Sequence, residues 1–134
     1  MTKEFIPYKI ALDLKELGFD EPCFGLFDNI EPNEFYQVHS HASMGTGTFI
    51  KAPLYQQAFR FFREKYGWQH SIDATSDQHS FELGYNYWIW NYKTGEEYHT
   101  MPKNRPSGDW EYKTYEEAEL ECLKKLIEIC CKLK

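Results

Sequence analysis

The fold is decided by the stretch Tyr85-Asn86-Tyr87-Trp88-Ile89-Trp90-Asn91-Tyr92, which carries bulky side chains at both odd and even positions. Successive side chains of a β-strand point to opposite faces, so this segment presents large groups on both of its faces. A strand of this kind is best accommodated in the middle of a sheet that is covered on at least one side. We therefore predict a central strand, with Trp88 and Trp90 packed under helices and with Tyr85 and Tyr87 facing solvent.

The segments around this stretch predict further strands. Residues 68–74 and 97–101 have strand character, and Lys93-Thr94-Gly95-Glu96 supplies a turn, which predicts an antiparallel meander. Nearer the amino terminus, residues 23–27 predict one strand. Residues 34–41 and 48–50 predict a hairpin, and residues 110–113 predict a short edge strand.

Three segments have the periodicity of amphipathic helices: residues 7–17, residues 53–66, and the chain from Thr114 to its end. Gly18 and Gly67 suit the left-handed position that ends a helix, and Thr114 with Glu117 forms a capping-box pattern. The expected fold is α+β in a single domain of 134 residues. We expect one antiparallel sheet of five or six strands, packed on one face by the central and C-terminal helices, with the short N-terminal helix beside them.

Composition limits the classes of partner and the compartment. The formal net charge of -6 and the pI near 5.4 oppose binding to a phosphate backbone, so nucleic acid is not the expected partner. The amino terminus has no apolar signal-peptide core and no segment has the length of a membrane span, which favours a cytoplasmic protein with no membrane contact. The four cysteines are expected to be reduced, with only one of the adjacent Cys130 and Cys131 facing the core.

Three stretches together resemble a known family: LKELGFDEPCF at residues 14–24, APLYQQAFRFFREKYG at residues 52–67, and YEEAEL from residue 115 onward to Ile129. They are similar to small uncharacterised proteins encoded by gut Bacteroides-type bacteria and by their phages or other mobile elements. The resemblance implies a bacterial cytoplasmic accessory protein, encoded by the bacterial genome or by an integrated element. It assigns no functional residue.

Two short motifs have the residue types of a binding site. His39 and His41 lie on the same side of a predicted strand and are suited to bind zinc, but a catalytic metal needs a third ligand from His70, His79, His99 or a carboxylate, and the spacing selects none of them. The alternative is a pair of exposed strand histidines. Gly45-Thr46-Gly47-Thr48 has glycines like a phosphate-binding loop but lacks the Lys-Ser/Thr ending, so a hairpin turn is the favoured interpretation.

The aromatic strand is the feature with binding potential. Its rings form a potential stacking platform for sugars, bases or a partner's side chains, and the alternative is that they are core residues. The residues concerned are Tyr85, Tyr87, Trp88, Trp90 and Tyr92. The leading hypothesis is a non-enzymatic binding or adaptor protein that needs no cofactor and meets a protein partner or a second copy of itself. A metal-dependent hydrolase using His39 and His41, and a single-stranded nucleic-acid-binding protein, are the alternatives.

Overall fold

The computed structural model describes residues 4–30, 33–37, 49–76, 82–100 and 111–132. These ranges contain three helices and six strands, in an α+β arrangement. The helices are α1 (Tyr8–Glu16), α2 (Tyr55–Tyr66) and α3 (Tyr115–Lys132). The strands are β1 (Gly25–Asp28), β2 (Phe35–Gln37), β3 (Phe49–Ala52), β4 (Trp68–Ser76), β5 (Leu83–Asn91) and β6 (Glu97–His99).

The helices begin and end where local signals in the sequence predict. Gly18 and Gly67 follow α1 and α2 with φ angles of 97° and 81°, a left-handed conformation that costs glycine little. The hydroxyl of Thr114 accepts a hydrogen bond of 3.1 Å from the backbone N–H of Glu117, which caps the first turn of α3. The three predicted helices are therefore confirmed.

The second sheet has the order β4-β5-β6 and is antiparallel throughout, so the predicted meander is confirmed. β4 and β5 pair along nine residues, from Trp68 opposite Asn91 to Ser76 opposite Leu83. β5 is the central strand, as its bulky side chains predict. Of the edge strand expected at residues 110–113, the described residues 111–113 form a bridge, in which Tyr112 exchanges two backbone hydrogen bonds with Tyr85.

The first sheet has the order β2-β1-β3, and it overturns the predicted hairpin of residues 34–41 and 48–50. β1 lies between those two segments and pairs with both. The physical reason is burial, because Leu26 of β1 is 3% exposed and Phe27 packs on Phe35, whereas Tyr36 of β2 is 43% exposed. A strand that is apolar on both faces takes the middle of a sheet, and a half-exposed one takes the edge.

The predicted single sheet of five or six strands with two helices on one face is also wrong. The strands divide into two three-stranded sheets, with α2 and α3 against the second sheet and α1 against β3 of the first. α2 begins three residues after β3 ends and intervenes before β4. Alternation of side chains predicts that a segment is a strand, but it does not choose the partner.

One hydrophobic cluster joins both sheets and all three helices. Its most buried members include Leu14 from α1, Ile50 from β3, Phe62 from α2, Ile89 from β5 and Leu126 from α3, each no more than 2% exposed. Burial of such side chains contributes about 1.5–3 kcal/mol each before conformational entropy is counted. Within the described ranges, no helix is both long enough and apolar enough to cross a membrane.

Candidate functional site

The pairing of β5 with its neighbours divides the second sheet into two faces. Trp88 lies opposite Ser71 and His99, and Trp90 lies opposite Gln69 and Glu97. Side chains that lie directly opposite one another share a face of the sheet. We call these six residues the outer face, because α2 and α3 pack against the other side, where Ile89 is fully buried.

The predicted orientation of the aromatic strand is therefore wrong. Tyr87, expected in solvent, is 9% exposed and its ring stacks on Tyr112 with centroids 6.3 Å apart. Trp88, expected under a helix, is 41% exposed. The cause lies in β4, whose apolar Trp68 and Ile72 point to the same side as Tyr87 and leave the polar Gln69 and Ser71 beside the tryptophans.

The remaining tyrosines of the stretch do not belong to the outer face. Tyr85 is half-buried on the helix side, where its ring meets Tyr115 edge to face at 5.9 Å. Tyr92 follows the last residue of β5 and is 65% exposed, with the ammonium of Lys93 5.8 Å from its ring centroid. Of the five aromatic residues predicted for binding, the structure brings only Trp88 and Trp90 together on one open surface.

Trp88 and Trp90 form a contiguous aromatic pair. Their ring centroids are 4.9 Å apart and their planes are inclined by 43°. β5 is hydrogen-bonded to strands on both sides, which holds the pair on a rigid support. The exposed Glu97 and Asp73 place carboxylates around it, so the surface is aromatic at its centre and acidic at its edge.

Asn86 fixes one end of this surface. It is 4% exposed, and its carboxamide oxygen accepts hydrogen bonds from the Thr100 hydroxyl at 3.0 Å and from the backbone N–H of Glu111 at 3.1 Å. The Thr100 hydroxyl oxygen accepts a further bond of 3.1 Å from the backbone N–H of Tyr87. These contacts tie the chain after β6, and the chain before α3, to the central strand.

The histidines predicted as metal ligands are not brought together in the described part of the chain. His39 and His41 lie outside it, as do His79 and the loop Gly45-Thr46-Gly47-Thr48. His99 is exposed on the outer face, and His70 lies on the opposite, helix-covered face. Among the described residues, no three His, Cys, Asp or Glu side chains form a metal-binding group. The metal site stays a prediction.

The cysteines behave as predicted. All four thiols are free, Cys130 is 1% exposed, and its neighbour Cys131 is exposed. Cys23, two residues before β1, is buried, and burial raises the pKa of its thiol to about 12. A thiol that stays protonated is a poor nucleophile, so Cys23 is not suited to covalent catalysis.

Comparison with known proteins found no matching family model, no matching curated protein and no matching solved structure. A functional hypothesis for this chain therefore rests on the arrangement of its own side chains.

Proposed function

We propose that this chain is a non-enzymatic binding or adaptor protein that holds a protein partner against Trp88 and Trp90 on the outer face. The observation that carries the proposal is the 41% exposure of Trp88 in the central strand of a sheet. A large aromatic side chain left in water forgoes the free energy of burial, which a partner recovers on binding. Tryptophan is also the residue type most enriched among side chains that dominate binding energy.

The rigidity of the site supports the proposal. Both tryptophans project from a strand that is paired on its two sides, and their rings already contact each other. Little side-chain entropy is left to lose when a partner covers them. A preorganised aromatic pair of this kind is suited to serve as the centre of an interface.

Charge favours one kind of partner. Asp73 and Glu97 flank the tryptophans, and the whole chain carries a formal net charge of -6. A phosphate backbone is repelled by this field, whereas lysine or arginine side chains are attracted to it and stack on tryptophan rings. The partner we propose is a protein segment with an apolar or arginine-containing centre and basic flanks.

The biological setting is part of the same proposal. The resemblance carried by residues 14–24, 52–67 and 115–129 supports an accessory role in the cytoplasm of a bacterium or on a mobile element. The partner would then be another protein of the bacterium or of the element.

Photo-crosslinking tests the surface directly. Ser71 lies opposite Trp88, so Ser71→p-benzoylphenylalanine places a crosslinker on the outer face without removing a tryptophan. Tyr36→p-benzoylphenylalanine is the control, because Tyr36 is 43% exposed on the first sheet. Each variant is irradiated in a Bacteroides-type bacterium. We expect a specific adduct when the crosslinker is at position 71 and no such adduct when it is at position 36.

The same adduct measures the role of the tryptophan. Trp88→Ala in the Ser71 crosslinker background is expected to weaken partner binding about 30-fold, as the loss of a central tryptophan commonly does. An adduct that contains two copies of this chain would identify the partner as a homodimer. Equal adducts at both positions, or an adduct unaffected by Trp88→Ala, would refute the proposal.

A further inference from the structure

A cleft lies between α2 and α3 on the helix-covered side of the second sheet, opposite the outer face. It consists of two cavities of about 340 and 320 Å³ that share Gln56, Tyr115 and Glu119 in their walls. Cavities of this size bind small molecules in many proteins. The two compartments differ in character: one is lined by charged side chains and the other is largely apolar.

The charged compartment holds an arginine and a carboxylate that do not pair with each other. The Arg60 guanidinium is bound to Glu21 at the edge of the cleft. Arg63 and Glu119 border the same cavity, yet neither has an ion pair or a side-chain hydrogen bond within the described part of the chain. Burial and the nearby Glu116 raise the pKa of the Glu119 carboxyl. Both effects disfavour the carboxylate form of Glu119, and a bound cation would favour it.

The inner wall of this compartment is neutral. His70 lies on Phe59, and burial together with the Arg63 charge lowers the pKa of its imidazole to about 4. A neutral imidazole carries one donor and one acceptor nitrogen, so it adds hydrogen-bonding capacity without adding charge. The charge balance of the compartment is thus set by the arginines, by Glu21 and by Glu119.

The apolar compartment begins at the shared wall. Leu54 and Tyr55 of α2 line it together with Tyr115 of α3, and Tyr55 is 9% exposed. Glu4 and Glu116 also line it, so its walls combine apolar surface with carboxylates. An apolar group that enters this space from the charged compartment passes Glu119, which faces both cavities.

We infer that this cleft binds a small zwitterion with an apolar group, of the α-amino acid class. In this arrangement Arg63 holds the carboxylate, Glu119 holds the ammonium, and the side chain of the ligand occupies the space lined by Leu54, Tyr55 and Tyr115. A simple anion would meet the Glu119 carboxylate, and a simple cation would meet the Arg63 guanidinium. A ligand that carries both charged groups on one carbon atom satisfies both side chains, and charge-assisted hydrogen bonds of this kind are the strong ones.

Matched ligands test the two charges separately. Isothermal titration calorimetry of the full chain at neutral pH compares L-phenylalanine with 3-phenylpropionate, which lacks the ammonium, and with 2-phenylethylamine, which lacks the carboxylate. We expect each analogue to bind at least about tenfold more weakly than the amino acid, the effect of one lost charge-assisted bond. Equal binding of 3-phenylpropionate and L-phenylalanine would reduce the cleft to an anion site and overturn the inference.

Variants assign the charges to residues. Arg63→Gln should weaken L-phenylalanine binding about tenfold or more, but it should not weaken 2-phenylethylamine binding, because it removes a like charge from beside that ligand. Glu119→Gln should likewise weaken L-phenylalanine binding and not 3-phenylpropionate binding. Arg63→Lys should restore part of the affinity. Lys15→Gln removes one exposed cation from α1 and controls for net charge.

The remaining outcomes are also decisive. If none of L-leucine, L-phenylalanine and L-tryptophan binds saturably with a dissociation constant below about 10 mM, the cleft is not a specific amino acid site. A weaker dissociation constant corresponds to less than about 3 kcal/mol of binding free energy. Binding that survives both Arg63→Gln and Glu119→Gln would place the ligand elsewhere. Trp88→Ala should leave amino acid binding intact, so failure here and failure of the outer-face proposal are distinguishable.

Discussion

The imidazole of His70 lies parallel to the ring of Phe59, with the two centroids 3.7 Å apart and the planes inclined by 9°. Burial, together with the charge of Arg63, lowers the pKa of His70 from 6.5 to about 4. The folded chain therefore keeps this imidazole neutral at pH values where the unfolded chain has already bound a proton. The contact links the stability of the α2–β4 packing to pH.

Because the pKa of His70 is lowered, the stability of the protein should fall as the pH falls from about 6.5 to about 4. In that window the unfolded state binds a proton that the folded state does not, which lowers the free energy of unfolding by about 2 kcal/mol after allowance for the partial exposure of the ring. Urea unfolding of the wild type and of His70→Gln at several pH values isolates the contribution. If the difference in free energy of unfolding between the two proteins stays constant from pH 7 to pH 4, His70 does not make this contribution.

The assignment of faces on β5 predicts opposite outcomes for two adjacent residues. Ile89→Ala should destabilise the fold by about 2–5 kcal/mol, because Ile89 is fully buried and its loss leaves a cavity. Trp88→Ala should cost less than about 1 kcal/mol, because Trp88 is 41% exposed and lies on the face of the second sheet opposite α2 and α3. Urea unfolding measures both. Comparable losses at the two positions would show that the outer face is covered in the folded chain.

Features that depend on a few neighbouring residues could be predicted from the sequence. The ends of α1 and α2 are marked by Gly18 and Gly67, and the start of α3 is marked by Thr114 and Glu117. Each signal acts within one helical turn. The β4-β5-β6 meander was likewise predictable, because its strands follow one another with short connections.

Pairing between distant segments could not be predicted in the same way. Gly25 of β1 lies opposite Ala52 of β3, and nothing in either segment alone identifies the other as its partner. The prediction of which β5 side chains face solvent was wrong for the same reason. The register that places Ile72 opposite Tyr87 determines which face of β5 is buried. The alternation of apolar and polar side chains along β4 predicts that face only when this register is known.

The α2–α3 cleft was not predicted at all. Glu119 has the spacing of an ordinary surface glutamate, and the sequence indicates no role for His70 beyond that of a possible third metal ligand. Arg63, His70 and Glu119 come from α2, β4 and α3, and only the packing of the two helices on the sheet brings them to one cavity. No local sequence motif predicts that arrangement.

The stability of the protein should be more sensitive to substitution at Gly67, after α2, than at Gly95, which lies in a turn. Gly67 and Gly95 have φ angles of 81° and 79°, so alanine at either position incurs about 1–2 kcal/mol of backbone strain. At Gly67 a Cβ atom would also lie 3.3 Å from Oδ1 of Asn91, whereas at Gly95 it would meet nothing within 4 Å. The Asn91 side chain donates to the Tyr66 carbonyl and accepts from the Lys93 N–H.

We therefore expect Gly67→Ala to lower the free energy of unfolding by about 1 kcal/mol more than Gly95→Ala, because it also disturbs these hydrogen bonds. Thermal or urea unfolding of the two variants gives the comparison. Equal losses would mean that the Asn91 contacts do not hold the junction between α2 and β4.

The thiols should divide sharply by reactivity in the folded protein. Cys131 is exposed at the end of α3, whereas Cys23, Cys122 and Cys130 are each no more than 4% exposed. Burial raises the pKa of Cys23 and of Cys130 to about 12 and raises that of Cys122 as well, so these three stay protonated at pH 8. Because the thiolate is the reactive form, these three thiols are protected by both burial and protonation, and the exposed Cys131 is the accessible thiol of the four.

Titration of the folded protein with Ellman's reagent at pH 8 should release one equivalent of product rapidly and the other three only on unfolding in urea. Cys131→Ser should abolish the rapid phase without changing stability, and Cys130→Ser should leave that phase intact while destabilising the core it enters. A rapid phase of two or more equivalents that Cys23→Ser leaves unchanged would show that α3 exposes its buried side on the timescale of the reaction. In that case the helix would not hold Tyr115 and Glu119 rigidly enough to form a preorganised site, since a segment that opens readily must pay to become ordered before it binds.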